Sequence, residues 1–153
     1  NVYILDVDRT KTDKLSEYFS LILNMYMKWN FRKLRAEANV AQAVIVQEIK
    51  NNYIKPNGLS LFIDEYKPTR HEGTKQERVM AVLEPRYANG QIWHYLGGNC
   101  QTLEEELTMA HPPHDDLIDA LASAIQIAVP PTRSRQKENK GKLTFNSRFG
   151  GIG

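Results

Sequence analysis

"HPPHDDLIDALASAI", residues 111–125, decides how this chain is read. Asp115, Asp116 and Asp119 fall within five residues, at the entry to a helix that is apolar nearly all round: Leu117, Ile118, Ala120, Leu121, Ala122, Ala124, Ile125, Ile127, Ala128 and Val129. Such a helix is buried between other elements. Aspartates in a first helical turn commonly cap free N–H groups and complement the positive end of the dipole, and this is the expected role of Asp115 or Asp116 taken alone. Asp119 does not suit that role. It sits a turn further in, three residues after Asp116 and four after Asp115, so all three carboxylates can project toward one side.

Clustered carboxylates repel one another, and burying an unpaired charge is costly, so something positive is expected among them. A divalent cation fits, since oxygen-rich sites select Mg²⁺ or Mn²⁺. A further acid should then arrive from a neighbouring element. Glu37 is the candidate, at the carboxyl end of a predicted strand in the setting "AEAN", although most glutamates are simply solvated. Two metals held by a strand carboxylate and a pair of helix-borne aspartates suit in-line phosphodiester cleavage, one ion activating water and the other stabilising the leaving oxygen.

Along the rest of the chain, strand-like and helix-like periods alternate. "VYILDV" reads as a strand, and Thr12 or Asp13 is placed to cap the helix "LSEYFSLILNMYMKW", whose Leu15, Phe19, Ile22 and Tyr26 share one face. "FRKLRAEA" is a second strand, and "VAQAVIVQEIKNNYI" a helix stopped by Pro56 and Gly58. "LSLFIDEY" is a third strand, "TKQERVMAVLEPRYA" a third helix, and "QIWHYL" a strand after the Asn89-Gly90 turn; the short acidic helix "TLEEELTMA" leads back to the opening segment. The pattern predicts an α/β layered domain with a mostly parallel central sheet flanked by helices, whose sites lie beyond the carboxyl ends of the strands.

At 153 residues the chain suits one domain with a true core. No apolar run is long enough to span a membrane, and no signal peptide opens the chain, so a cytoplasmic location is expected. The single cysteine, Cys100, excludes an intrachain disulfide framework or a Cys-rich zinc site and suits a reducing compartment. The chain opens on Asn1 and enters a strand at once, which suggests an excerpt of a longer protein. The net charge of +2 hides an asymmetry. From residue 131 onward six basic residues stand against Glu138, a balance of +5, which leaves −3 for the first 130 residues. A basic tail on a mildly acidic body suits an acidic partner, nucleic acid or protein, when it is not merely solubilising. The tail's close, "FNSRFGGIG", resembles a docking peptide; Arg133, Arg135, Phe145, Arg148 and Phe149 are its candidate contacts.

"AHPPHDDLIDALASAI", the "AEAN" strand end and "TKQERVMAVLEPRYANGQIWH" together resemble the nuclease domain of the large terminase subunit of tailed bacteriophages, over roughly residues 1–129. The most specific piece is the His-Asp-Asp-x-x-Asp-Ala-Leu pattern. The resemblance implies a ribonuclease H-like fold and a two-metal endonuclease that cuts concatemeric DNA during viral genome packaging in the host cytoplasm. It implies Mg²⁺ or Mn²⁺ as cofactor, and double-stranded viral DNA, the portal protein, the small terminase subunit and further large subunits in a motor ring as partners. By position, Glu37 matches the central-strand acid, and Asp116 and Asp119 the helix-borne acids, with Asp115 an alternative or additional ligand. His114 would orient a carboxylate or the attacking water. Lys67, Arg70, His71, Lys75 and Arg78 form a basic approach for DNA, Lys75 and Arg78 matching the family's recurring Lys and Arg in "KQER".

The sequence departs from the family pattern at its start. "VYILDVD" runs almost directly into a helix, which suits the third strand of that fold better than the first. Asp6 and Asp8 are then strand-end residues, and the first catalytic aspartate lies outside this sequence. ATP would act only through a motor domain, for no G-x-x-x-x-G-K-[ST] loop is present. A Holliday-junction resolvase of the same fold class, or a non-catalytic packaging module whose acids are helix caps, are the alternatives.

Overall fold

The computed structural model describes residues 1–37, 40–67, 73–109 and 112–130, with the backbone alone for 40–42. The described chain is α/β, in the order β1 (Val2–Tyr3), α1 (Leu15–Trp29), β2 (Lys33–Glu37), α2 (Val40–Ile49), β3 (Phe62–Tyr66), α3 (Lys75–Ala88), β4 (Ile92–Trp93), α4 (Gln101–Thr108) and α5 (Asp116–Ile127). A π-helical turn, Lys50–Ile54, extends α2, and a 3₁₀ turn, Gly98–Cys100, leads into α4. The strand–helix alternation read from hydrophobic period is present. The strands are shorter than their apolar runs, because pairing ends before the runs do.

Local chemistry accounts for the element ends. Thr74 and Glu77 form a reciprocal capping box at the start of α3. Asn30 closes α1 in the left-handed conformation that asparagine tolerates better than most residues. The Asn89-Gly90 turn follows α3, with Gly90 at positive φ. One expected cap is corrected: neither Thr12 nor Asp13 caps α1, whose N-cap residue is Lys14 without a side-chain cap. The Thr12 hydroxyl instead accepts from the Lys14 N–H and donates to Glu17, forming a turn just ahead of the helix.

The single mostly parallel sheet is also corrected. Among the described residues the strands form two separate parallel pairs, β1 with β4 and β2 with β3, with Glu37 opposite Tyr66 at the end of the second pair. Each pair has its own core. Val79, Leu83, Ile92, Leu103, Leu117, Leu121, Ala122 and Ile125 are buried together beside β1, whereas Val46, Ile49, Ile54, Leu61 and Ile63 are buried against β2 and α1. Leu15, Ile22 and Tyr26 pack on the second core and Phe19 is buried, as the α1 face predicts.

Between the pairs runs a groove of about 710 Å³. Consecutive residues of both strands line it, from Val2 to Val7 and from Lys33 to Arg35, with α5 along its floor. Successive side chains of a strand point to opposite faces, so lining by consecutive residues means that the groove runs along strand edges. Among the described residues β1 and β2 each pair on one side only, and no backbone bridges them. This is why the sheet is divided.

Asp6 fixes the end of the β1 segment. Its carboxylate accepts from Lys28 Nζ at 2.7 Å, Trp29 Nε1 at 2.9 Å, Asn99 Nδ2 at 2.9 Å and the Val7 N–H at 3.1 Å. The Lys28 hydrogen bond first, then those from Trp29 and Asn99, hold it well below the usual carboxylate range. With a folded pKa below the unfolded one, its stabilisation is present above about pH 4 and is lost as pH falls through the folded value. Asp6→Asn should lower stability at pH 7 by about 1–2 kcal/mol, screening by water at the exposed Lys28 limiting the effect. The difference from the parent should shrink as urea melts are repeated toward pH 2; a difference independent of pH would remove Asp6 as its source.

Candidate acidic centre at the entry to the last helix

α5 begins at Asp116, with Asp115 as its N-cap residue, yet Asp115 makes no side-chain cap. The cap comes from another helix. Glu106 of α4 turns its carboxylate onto α5, where Oε2 accepts the Leu117 N–H at 3.0 Å and the Ile118 N–H at 3.2 Å. It is the one buried charged side chain among the described residues, at 5% exposure. A carboxylate there satisfies two otherwise orphaned donors and meets the positive end of the helix dipole. The expected capping role of Asp115 or Asp116 is thus corrected: Glu106 has taken it, and all three aspartates are free of it.

Two cations from elsewhere in the chain hold the aspartates. Lys75, at the start of α3, lies 3.1 Å from Asp115 Oδ1 and 3.0 Å from Asp119 Oδ2. Arg9, beyond β1, places Nη2 3.5 Å from Asp116 Oδ2 and Nη1 3.8 Å from Glu106 Oε1. Burial pulls the Lys75 ammonium down, but hydrogen bonds to Asp119 and Asp115 and the charge of both outweigh it and hold the group above its ordinary value. The positive charge expected among the aspartates is therefore present as side chains. Asp119 is the most enclosed of the three, at 21% exposure against 68% for Asp116.

Glu37 ends β2 and lines the same groove as Asp116 and Asp119, so the strand acid and two helix acids open onto one space. Among the described residues no three His, Cys, Asp or Glu side chains converge closely enough to cage an ion. The fit to a metal is therefore partial: Asp115 and Asp119 already share one cation, the Lys75 ammonium, but Glu37 is not drawn into a three-acid cluster with the helix acids. His114 is exposed just ahead of α5.

The basic approach divides. Lys75 and Lys67 are both exposed, but the Lys75 ammonium is paired with the aspartates. Arg78 donates to the Gly73 carbonyl at 3.3 Å and lines a second, shallower cavity with Arg35, Tyr66 and Gln126. Arg70, His71 and the tail residues Arg133, Arg135, Phe145, Arg148 and Phe149 lie outside the described residues.

Glu106 and Arg9 escaped the sequence reading. A signal for Glu106 was present in "LEEEL": it lies three residues after Leu103 and one before Leu107, on the helix face those leucines bury. Arg9 had none, because its partners arrive from 97 and 107 residues further along. No helix among the described residues is long and apolar enough to cross a membrane. Comparisons with protein-family models, with curated proteins and with solved structures find no match for this chain.

Proposed function

We propose that this chain is a metal-dependent nuclease domain acting on DNA, of the kind found in the large terminase subunit of tailed bacteriophages. The observation that carries the reading is that α5 is capped by Glu106, leaving Asp115, Asp116 and Asp119 as a surplus of negative charge beside a groove that Glu37 also lines. With the cap supplied by Glu106, four carboxylates meet at the start of α5 against two cations, Lys75 and Arg9.

In this reading Glu37, Asp116 and Asp119 hold the metal, with Asp115 as a further ligand. Mg²⁺ or Mn²⁺ bound there would supply an activated water and neutralise charge on the leaving oxygen. The chain's own contribution is positioning. α5 is locked onto α4, Lys75 bridges Asp115 and Asp119, Arg9 holds Asp116, and Asp119 is partly withdrawn from solvent. His114 orients a carboxylate or the attacking water. Lys67, Arg70, His71 and Arg78 are the candidate phosphate contacts, and the tail meets DNA or the portal. Lys75 serves the acids first.

The ribonuclease H-like fold belongs to the same proposal. In that fold one further strand would lie in the groove and join the two parallel pairs. The open edges of β1 and β2 suit it. Packaging DNA in the host cytoplasm, with the portal, the small subunit and a ring of motor domains as partners, is the corresponding setting.

The ion pairs themselves favour a second reading, a non-catalytic module in which Lys75 and Arg9 complete a salt-bridge network. Manganese binding separates the two. Titration of the chain with Mn²⁺, followed by loss of the free-ion electron paramagnetic resonance signal, should give saturable binding that Mg²⁺ competes away. Supercoiled plasmid should be nicked with Mn²⁺ and not with EDTA. A chain that folds and leaves the Mn²⁺ signal unchanged would be the module.

A further inference from the structure

Glu106 has one oxygen too many for a cap. Oε2 accepts both α5 N–H groups, while Oε1 is buried without a hydrogen bond. A buried charged oxygen left unbonded is costly, and structures seldom retain one without a use. The nearest cation is Arg9 Nη1 at 3.8 Å, outside hydrogen-bonding distance, while Nη2 of the same guanidinium lies 3.5 Å from Asp116 Oδ2. Arg9 is thus shared between two carboxylates and fully bonded to neither.

We propose that Glu106 is the positioning residue of the acidic centre, and that its spare oxygen receives Arg9 when a divalent cation takes Asp116. The proposal rests on the reading of the α5 aspartates as metal ligands. A cation arriving at Asp116 repels Arg9. Without a destination the guanidinium would have to remain and compete, or leave for water and abandon Glu106 uncompensated. A shift that closes the 3.8 Å separation to about 2.8 Å makes a charge-assisted hydrogen bond to Oε1 and frees Asp116 in the same movement. No proton is exchanged and no covalent bond changes. The second function of Glu106, capping, keeps α5 in register with α4 throughout, so the aspartates stay in place while the cation beside them is replaced.

Capping and charge can be separated by substitution. Glu106→Gln keeps a carbonyl able to accept the α5 N–H groups, but its amide nitrogen cannot accept from Arg9 and its charge is gone. Mn²⁺ affinity should be measured by paramagnetic resonance for the full 153-residue chain, for Glu106→Gln, for Arg9→Gln and for the double variant, with amide exchange at Leu117 and Ile118 as the check on capping. Glu106→Gln should raise the Mn²⁺ dissociation constant about ten-fold while the two amides stay protected to within a few-fold. Arg9→Gln, which removes the competitor, should lower it a few-fold. The double variant should bind within about two-fold of Arg9→Gln alone, because the loss from Glu106→Gln acts through Arg9.

A purely structural Glu106 would weaken binding equally in both backgrounds, and that outcome would overturn the proposal. So would unchanged affinity in Arg9→Gln, which tests the transfer even if the Glu106 variants do not fold. If the parent chain itself binds no Mn²⁺, the metal reading falls and takes this proposal with it. Binding by the parent that is indifferent to Glu106→Gln defeats the proposal alone.

Discussion

Asp119→Asn should raise the Mn²⁺ dissociation constant by at least about 100-fold, beyond the ten- to hundred-fold typical of losing a group that only supports a ligand. Among the three aspartates it is the least exposed, it lines the groove with Glu37, and its Oδ2 lies 3.0 Å from Lys75. Asparagine keeps the shape and one weak oxygen donor but removes the charge. Stability should move by less than about 1 kcal/mol, since the lost Lys75 ion pair is half exposed and the remaining acids repel one another less. Lys75 should titrate closer to an ordinary lysine, because the Asp119 hydrogen bond is the foremost influence raising it. Asp115→Asn, at a more exposed site, should cost about ten-fold in affinity. Unchanged Mn²⁺ binding in Asp119→Asn, with the protein folded, would leave Asp119 as an ion-pair partner of Lys75 and nothing more.

Leu103→Ala should destabilise the chain by about 3–4 kcal/mol. At 1% exposure Leu103 is among the most enclosed side chains, packed in the cluster that joins α3, α4, α5 and β4. Removing its branched end loses the transfer free energy of the buried carbons and leaves a cavity that the surrounding helices fill only partly. Against a typical total stability of about 5–15 kcal/mol this is a large fraction, and the urea midpoint should fall by roughly 1–2 M. Leu96→Ala is the control. Leu96 is 92% exposed, so its truncation should change stability by less than about 0.5 kcal/mol. Equal losses at the two positions would contradict the placement of the core between α4 and α5. Because α4 also carries Glu106, Leu103→Ala should in addition loosen the acidic centre, a coupling that Asp6→Asn should lack.

The helices were legible because their information is local. Leu15, Phe19, Ile22 and Tyr26 recur at helical spacing and turn inward together, "TKQERVMAVLEPRYA" spans α3, and Asn89-Gly90 announces the turn beyond it. Strand partners were less legible. "QIWHYL" and "VYILDV" have the composition of strands six residues long, yet only two residues of each pair. How far a ladder extends depends on what lies beside it, and that neighbour is remote in sequence. The division of the sheet follows from the same cause.

By itself the sequence determined that three aspartates crowd the entry to an apolar helix and that Glu37 ends a strand, whereas the burial expected all round that helix is confined to the Leu117, Leu121, Ala122 and Ile125 face, with Ala120 and Ala124 exposed. Periodicity and residue type specify both, since each concerns contacts within a single element. Only the tertiary structure decided which carboxylates cap and which are left over. Capping α5 is done by Glu106, eleven residues before Leu117 and on a different helix, while Lys75 and Arg9 reach the aspartates from 40 and 107 residues away. A charge chooses its partner by distance and burial in space, and neither is written in the spacing of a single segment.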